Sequence, residues 1–408
     1  MRILHTSDWH LGQSFFGKSR ANEHNAFIDW LLDYIEQQQI DALIVAGDLF
    51  DTATPPSYAR AIYARLISAL SQQHCQLLLL GGNHDSVAML SESQPLLAAL
   101  NTHLLSHAND DYDNQLVILK NAQQQEAAIV CMVPYLRPRD LQRSSAGQDG
   151  NEKRLQLQQS IAAHYHNLYQ AACQLRGERA LPIIATGHLT TVGARSSDSE
   201  RELYIGTLDA FPASAFPPVD YLALGHIHRS QMVAGLPHLR YSGSPIPLSF
   251  DELGRDKVLL QIEFCGTTPS ISEVPIPRFQ ALAQLRGNLN EIERQLAQFA
   301  ENPQNTWLDI EVAEDDYLSD LHQRIAALCQ DLPVEVLKVR RARRGSCASD
   351  SSQPQPQDLT ELSIDEVFEQ RLAQEIFSDE AALARRQRLQ QLFAETHQQL
   401  NDKPAEAN

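Results

Sequence analysis

The sequence predicts an α/β fold of mixed β-sheets flanked by helices, followed by a small second α/β unit and a helical C-terminal tail. Three observations predict it. Short apolar runs of strand length alternate with amphipathic stretches of helical period from the first residue onward. A second, shorter β-α-β-α-β pattern occupies 276–344. A polar, Ser- and Pro-rich segment then separates this pattern from a final stretch of helical character.

Taken in order, strand-like runs fall at Arg2–His5, Ala42–Ala46, Leu77–Leu80, Ala127–Val133, Pro182–Thr186, Tyr221–Leu224 and Val258–Phe264. Phe27, Leu31 and Ile35 recur at fourfold spacing between the first two, as do Tyr58, Ile62, Leu66 and Leu70 between the next two. Pro55 and Pro56 mark the start of the second helix. Such a βαβαβ opening implies a parallel sheet. Later runs come without long helices between them, which predicts mixed or antiparallel strands in that part. In the second unit, helices are expected near 288–299 and 317–329, and strands near 307–312 and 334–339. The expected organisation is a main domain at 1–275, a small capping domain at 276–344, a linker at 345–358 and a helical tail at 359–408.

Bulk properties narrow the function. At 408 residues the chain is long enough for two or three domains. No apolar run reaches the roughly 18 residues a bilayer span needs. The N-terminus has no apolar signal region, since His5 and Asp8 interrupt it. A soluble, cytoplasmic protein is expected. The six scattered cysteines form no CxxC pair and read as reduced core thiols. A net charge of −18 argues against a general nucleic-acid coat, which needs a basic surface.

Chemistry concentrates at strand ends. Five apolar runs end in Asp8-Trp9-His10, Gly47-Asp48, Gly82-Asn83-His84-Asp85, Gly187-His188 and Gly225-His226-Ile227-His228. Ligands bind outside the carboxyl ends of strands in open α/β sheets. One Asp or His at one strand end often only caps it; five such ends together call for another account. Imidazole and carboxylate together suit Mn, Fe or Zn, and the set offers enough ligands for two ions.

As an ordered series, D-x-H, G-D, G-N-H-D, G-H and G-H-x-H resembles the calcineurin-like metallophosphoesterases. The stretches Leu4–Gly12, Ala185–Gly193 and Ser242–Phe250 resemble, more narrowly, the nuclease subunits of bacterial DNA-end-processing complexes. The resemblance implies a sandwich of mixed sheets and a two-metal phosphodiesterase acting on DNA ends and hairpins. Asp8, His10 and His228 would bind one ion, Asn83, His188 and His226 the other, and Asp48 would bridge them. The ions would be divalent, with manganese as the expected metal, and would activate a water against phosphorus. His84 would serve the transition state or leaving group, with Asp51 orienting it. The same resemblance implies a dimer paired with an ATPase that bears a long coiled coil, associated with the nucleoid, with the tail docking on that ATPase. The alternatives are a phosphomonoesterase or cyclic-nucleotide phosphodiesterase with the same metals, or a scaffold with a dead site.

Two further stretches bear on substrate. Gly12–Ser19 fits the phosphate-loop pattern G-x-x-x-x-G-K-[ST], but two bulky Phe fill it and a candidate metal cluster precedes it, so no nucleotide is expected there. Lys18 and Arg20 are expected to touch DNA phosphates instead. Lys338, Arg340 and Arg341, within the most basic stretch of an acidic chain, are expected to do the same, with Lys338 and Arg340 on one strand face.

Overall fold

The structure is a computed structural model that describes residues 1–109, 111–141, 150–195, 210–302, 304–313, 321–341 and 388. The chain divides into two compact units, Met1–Arg343 and Arg344–Asn408. The linker expected at 345–358 and the tail expected at 359–408 lie outside the described residues, Arg388 excepted.

The first unit opens with β1 (Arg2–Thr6), a hairpin of β2 (Ser14–Phe15) and β3 (Lys18–Ser19), α1 (Ala21–Gln38), β4 (Ala42–Val45), α2 (Ser57–Gln72) and β5 (Gln76–Leu80). Next come α3 (Val87–Glu92), α4 (Gln94–Leu97), β6 (Thr102–Leu105), β7 (Leu116–Lys120), β8 (Glu126–Cys131), α5 (Pro138–Leu141), α6 (Gly150–Arg176), β9 (Ile183–His188) and β10 (Tyr221–Gly225). β11 (Gln231–Val233), β12 (Leu236–Tyr241), β13 (Val258–Cys265) and β14 (Thr268–Pro275) complete the main body. A separate sheet follows from β15 (Ala281–Gly287), α7 (Leu289–Leu296), β16 (Thr306–Val312), α8 (Leu321–Cys329) and β17 (Val334–Arg341).

Two six-stranded mixed sheets pack face to face, in the orders β14-β13-β1-β4-β5-β6 and β11-β12-β10-β9-β8-β7. Strand side chains alternate between two buried layers. On β4, Ala42 and Ile44 face the space between the sheets while Leu43 and Val45 pack under α1 and α2. On β10, Tyr221 and Ala223 face inward while Leu222 and Leu224 pack on the α6 side. Burial on both faces is why these strands read as continuous apolar runs. Each fully buried Leu or Ile contributes about 1.5–3 kcal/mol relative to exposure.

α1 and α2 close the outer face of the first sheet with Phe27, Leu31, Ile35, Ile62, Leu66 and Leu70. α1 ends at Gln39, whose left-handed φ of 52° stops the helix. The expectation that later strands lack long helices is corrected here. α6, with 27 residues, covers the outer face of the second sheet through Leu157, Ile161, Tyr165, Leu168 and Ala172. The small sheet is parallel, in the order β15-β16-β17, with its own core of Leu285, Ile292, Leu296, Leu308, Ile310 and Ile325. Asn288 and Glu291 form a reciprocal capping box at the start of α7.

Strand direction positions the site. β1, β4 and β5 run parallel in one sheet, and β9 and β10 run parallel in the other. Their carboxyl ends and the loops that leave them carry all five Asp, His and Asn clusters.

Candidate metal centre

The loops after β1, β4, β5, β9 and β10 bring the expected side chains into one buried constellation. Three groups have ligand atoms all within 4.8 Å of one another: Asp8, His10 and His228; His10, Asp48 and His84; and Asp48, His188 and His226. Asp48 lies in two of them. Its Oδ2 is 3.7 Å from His10 Nε2 and 3.3 Å from His188 Nε2. Asn83 joins the second side, with Oδ1 2.8 Å from His188 Nε2.

Local backbone geometry makes this possible. Asp8, His10, Asp48 and His226 all have left-handed φ, at 54°, 46°, 49° and 94°. Such non-glycine backbone costs about 1–3 kcal/mol each and persists where surrounding structure demands it. Gly47 also has positive φ, and a Cβ there would lie 2.2 Å from His188 Nδ1. A Cβ on Gly82 would lie 2.1 Å from Asp48 Oδ1. Only glycine allows the two loops to approach so closely.

Asp8, Asp48 and His188 are each held by further contacts. His188 Nδ1 lies 2.9 Å from the Ala46 carbonyl, which turns Nε2 toward Asp48. The His226 N–H donates to both Asp8 oxygens at 2.9 and 3.1 Å, and the Ser7 hydroxyl donates to Asp8 Oδ2 at 2.5 Å. The His84 N–H donates to Asp48 Oδ1 at 2.9 Å. His84 is partly exposed, whereas Asp8, His10, Asp48, His188, His226 and His228 are buried. It is therefore placed toward solvent at the rim of the cluster.

The electrostatics are those of a site made for cations. Burial pushes the Asp8 carboxyl up to about 6, against the neighbouring histidines. Burial also opposes the charges on Asp48 and His188. Their mutual attraction outweighs it, holding the Asp48 carboxyl well down and the His188 ring up at about 9. Burial and crowding by the other rings hold His226 down at about 3 and His228 well down. His226 and His228 thus stand as neutral imidazoles, the form that binds metal, while His188 holds its proton against Asp48 and would release it to a bound cation. His10 Nε2 is buried with no hydrogen-bond partner, aimed into the cluster. A dication fits that orphaned atom and the shared Asp48 together.

Several expected roles come out differently. The Asp51 carboxylate lies 3.2 Å from His10 Nδ1, and it is the Asp51 main-chain carbonyl that takes His84 Nδ1, at 2.7 Å. Arg20 is corrected from a phosphate contact to an internal strut. Its side chain is buried, with Nε donating to Glu23 at 2.7 Å and Nη1 to Gln13 at 2.8 Å and to the Pro247 carbonyl at 2.6 Å. Lys18 pairs with Glu335 on β17. Lys338 Nζ sits 5.5 Å over the Phe16 ring. Arg340 pairs with Asp309 at 3.1 Å and Glu311 at 3.0 Å, both on β16. Lys338 and Arg340 do share a face, but their neighbours across the strand pair are Asp309 and Glu311. Arg341 is exposed at the strand end.

Other residues support the site without having been singled out. Asp85 is buried and accepts N–H bonds from Leu49 at 3.1 Å, Phe50 at 2.9 Å and Gly82 at 2.9 Å, tying the Asp48 loop to the Asn83 loop. Its place beside Asn83-His84 was the only signal. Arg137 donates to the Gly82 and Asp85 carbonyls at 3.4 and 3.3 Å. Ser242 Oγ lies 2.8 Å from Ser7 Oγ and so backs Asp8. Neither Arg137 nor Ser242 carries a sequence signal for this.

Residues 1–230 match the family model described as calcineurin-like phosphoesterase, and 278–375 match one described as type 5 capsule protein repressor C-terminal domain. Fold and site thus define a divalent-metal phosphoesterase, a hydrolase. The chain is 51% identical to SbcD, the nuclease subunit of SbcCD, from Escherichia coli strain K12, over 97% of this chain and 98% of that one. Identity to the SbcD proteins of two other bacteria is 32% in Rhodobacter capsulatus, over 90% and 93% of the two chains, and 30% in Bacillus subtilis, over 78% and 81%. The chain belongs to the SbcD family of metal-dependent nucleases.

Proposed function

We propose that the chain is the nuclease subunit of a DNA-end-processing complex, cutting phosphodiesters at ends and hairpins with two manganese ions. The observation that carries this is the carboxylate of Asp48, shared by a His10 side and a His188 side. Asp8, His10 and His228 would hold one ion, and Asn83, His188 and His226 the other. Bound ions supply a nucleophile from water at neutral pH and offset charge on the phosphoryl oxygens.

The chain's own groups do the rest. Asp48 keeps the two ligand sets together. The Asp51 carboxylate fixes the His10 ring, and the Asp51 carbonyl fixes the His84 ring. With Nδ1 held by the Asp51 carbonyl, His84 Nε2 would be the atom that gives a proton to the leaving oxygen.

Relatives carry the name of a two-part complex, SbcCD. In our reading the partner is SbcC, an ATPase with a long coiled coil, and two copies of each chain form a heterotetramer in the cytoplasm near the nucleoid. Residues 1–275 would be the nuclease domain and 276–344 a cap, with 359–408 docking on SbcC through the apolar stripes of Leu362, Phe368, Leu372 and Ile376. Purified chain with manganese, assayed on end-labelled DNA and on a chromogenic phosphomonoester, tests the activity. Metal-dependent cutting of DNA supports it; turnover of the monoester alone sinks it.

A further inference from the structure

The five cations expected to meet DNA are largely engaged within the fold or at its edge, so the question of what holds substrate in an acidic chain passes elsewhere. A cleft of about 800 Å³ opens beside the metal centre, with His228 and Ser242 on its wall. Arg195, Arg229 and Arg255 line it. None of the three guanidinium groups pairs with a carboxylate of the described residues.

Four acidic groups also line the cleft, and two of them are in ion pairs. Glu252 pairs with Lys257, and Glu273 pairs with Arg240 at 2.6 Å. Asp251 accepts from the Ser249 hydroxyl. The three arginines share the cleft with Asp251 and Asp256. The cleft thus gathers three arginines on a chain whose net charge is −18.

The cleft is also built rather than incidental. Arg229 follows the candidate ligand His228, whose carbonyl accepts from the Ser244 N–H at 3.1 Å and from Lys257 Nζ at 3.0 Å. Gln231 binds Arg195 reciprocally: its Oε1 accepts the Arg195 N–H at 2.9 Å, and its Nε2 donates to the Arg195 carbonyl at 2.8 Å. The same Nε2 donates to the Arg229 carbonyl at 3.3 Å. One side chain therefore ties the main chains of two arginines to the loop of a metal ligand. Such pre-ordering lowers the cost of binding.

We infer that this cleft is a backbone subsite for one strand of DNA, leading away from the metal centre past His228, with Arg195, Arg229 and Arg255 as its phosphate contacts. Its volume suits a group of nucleotide size, since pockets of about 300–1,000 Å³ hold ligands of that class. Arginine offers phosphate a planar fork of donors. The inference rests on the nuclease reading above.

The test uses the full chain with manganese, Arg195→Gln and Arg255→Gln singly and together, and two substrates. One is end-labelled single-stranded DNA; the other is bis(p-nitrophenyl) phosphate, a diester with no nucleotide chain to extend past His228. We expect the double variant to raise KM for DNA on the order of tenfold. The slope of log(kcat/KM) against log salt should shrink by about 0.7 for each arginine removed. Turnover of the small diester should hold. Both side chains are exposed or nearly so, and unchanged thermal melting would confirm folding. If KM and salt slope on DNA stay at wild-type values, the cleft is not the subsite. Equal losses on both substrates would also overturn it, by making the arginines structural. Wild-type chain that cleaves the small diester and never DNA removes the nuclease reading, and this inference with it.

Discussion

Asp51 holds two histidines of the centre by two different groups: its carboxylate lies 3.2 Å from His10 Nδ1, and its main-chain carbonyl lies 2.7 Å from His84 Nδ1. Substitution at 51 removes the first contact and spares the second. Asp51→Ala should therefore act through the ligand His10. Loss of such a supporting carboxylate typically weakens metal affinity about 10–100-fold. Manganese titration of activity should show a higher half-saturating concentration, with most turnover recovered at saturation. A deep loss of kcat at saturating metal would mean that the carboxylate serves His84 after all.

Asp48 and His84 should separate cleanly. Asp48→Asn removes the charge shared by both ligand sets, so bound metal and hydrolysis should fall together. His84→Gln should keep both ions while kcat drops about 10²–10⁴-fold, the usual share of a positioned proton donor. Metal content by elemental analysis, measured beside turnover, decides both. An Asp48→Asn protein that still hydrolyses would end the two-ion account.

Acid should weaken the fold through two buried histidines. Burial holds the His5 and His24 rings down at about 3, with Arg20 adding to the effect at His24. His5 Nδ1 lies 2.9 Å from the Tyr221 hydroxyl and Nε2 3.2 Å from the Leu224 carbonyl, contacts a neutral ring satisfies. The unfolded chain takes up these protons near pH 6.5 and the folded chain does not until about 3. Stability is thus full above pH 6.5 and falls as pH drops through that window. Each ring should cost about 2 kcal/mol between pH 7 and pH 5. Both ring nitrogens of His24 are buried without hydrogen bonds. His24→Leu should be at least as stable at pH 7 and should lose less on acidification. Urea midpoints of the metal-free protein at the two pH values measure this; equal pH dependence in wild type and variant would exclude His24 as a source.

Arg20 should matter to stability and not to DNA. Its guanidinium and the Glu23 carboxylate are both buried. Arg20→Ala leaves Glu23 charged and unpaired, which costs about 3–5 kcal/mol. The melting temperature should fall sharply, while the salt dependence of DNA cleavage by the surviving folded fraction stays unchanged. A reduced salt slope without destabilisation would restore Arg20 as a phosphate contact.

The parts of the fold legible in the sequence were those whose chemistry is local. β4, β5 and β10 are buried on both faces and read as apolar runs. The metal-site candidates were legible because each lies at the carboxyl end of such a run. β6, β7 and β12 are short or half-buried strands near sheet edges, and their mixed composition hid them. α6 was hidden differently. Leu157, Ile161, Tyr165, Leu168 and Ala172 keep a helical period, but abundant Gln, Asn and His between them dilute it. Pairings such as Lys18 with Glu335 or Arg340 with Asp309 depend on which strands meet, and no local pattern gives that. Arg20 with Glu23, by contrast, is an i, i+3 pair at the start of α1, a spacing that a local pattern does carry.

The stretch Gly12–Ser19 should bind no ATP, because it is a hairpin and not a phosphate cradle. Ser14 pairs with Ser19 and Phe15 with Lys18, and the two turn residues Phe16 and Gly17 have φ of 49° and 85°. Two left-handed residues in a two-residue loop make the turn whose twist matches paired strands. A phosphate loop instead needs its N–H groups converging at a helix start, with its lysine free to reach phosphate. Here Lys18 pairs with Glu335, and Phe15 stacks on Trp307 with ring centres 5.8 Å apart. Phe15, Phe250, Leu282 and Trp307 form one buried cluster, so the hairpin fastens the small sheet to the main body. Lys18→Ala should accordingly leave nucleotide binding at zero and cost little, about 0–1 kcal/mol, as an exposed ion pair. Trp307→Ala should cost about 3–5 kcal/mol by emptying that cluster. Calorimetric titration of the isolated chain with ATP, beside urea unfolding of both variants, checks the pair. Saturable ATP binding lost in Lys18→Ala would show that the hairpin opens into a nucleotide site.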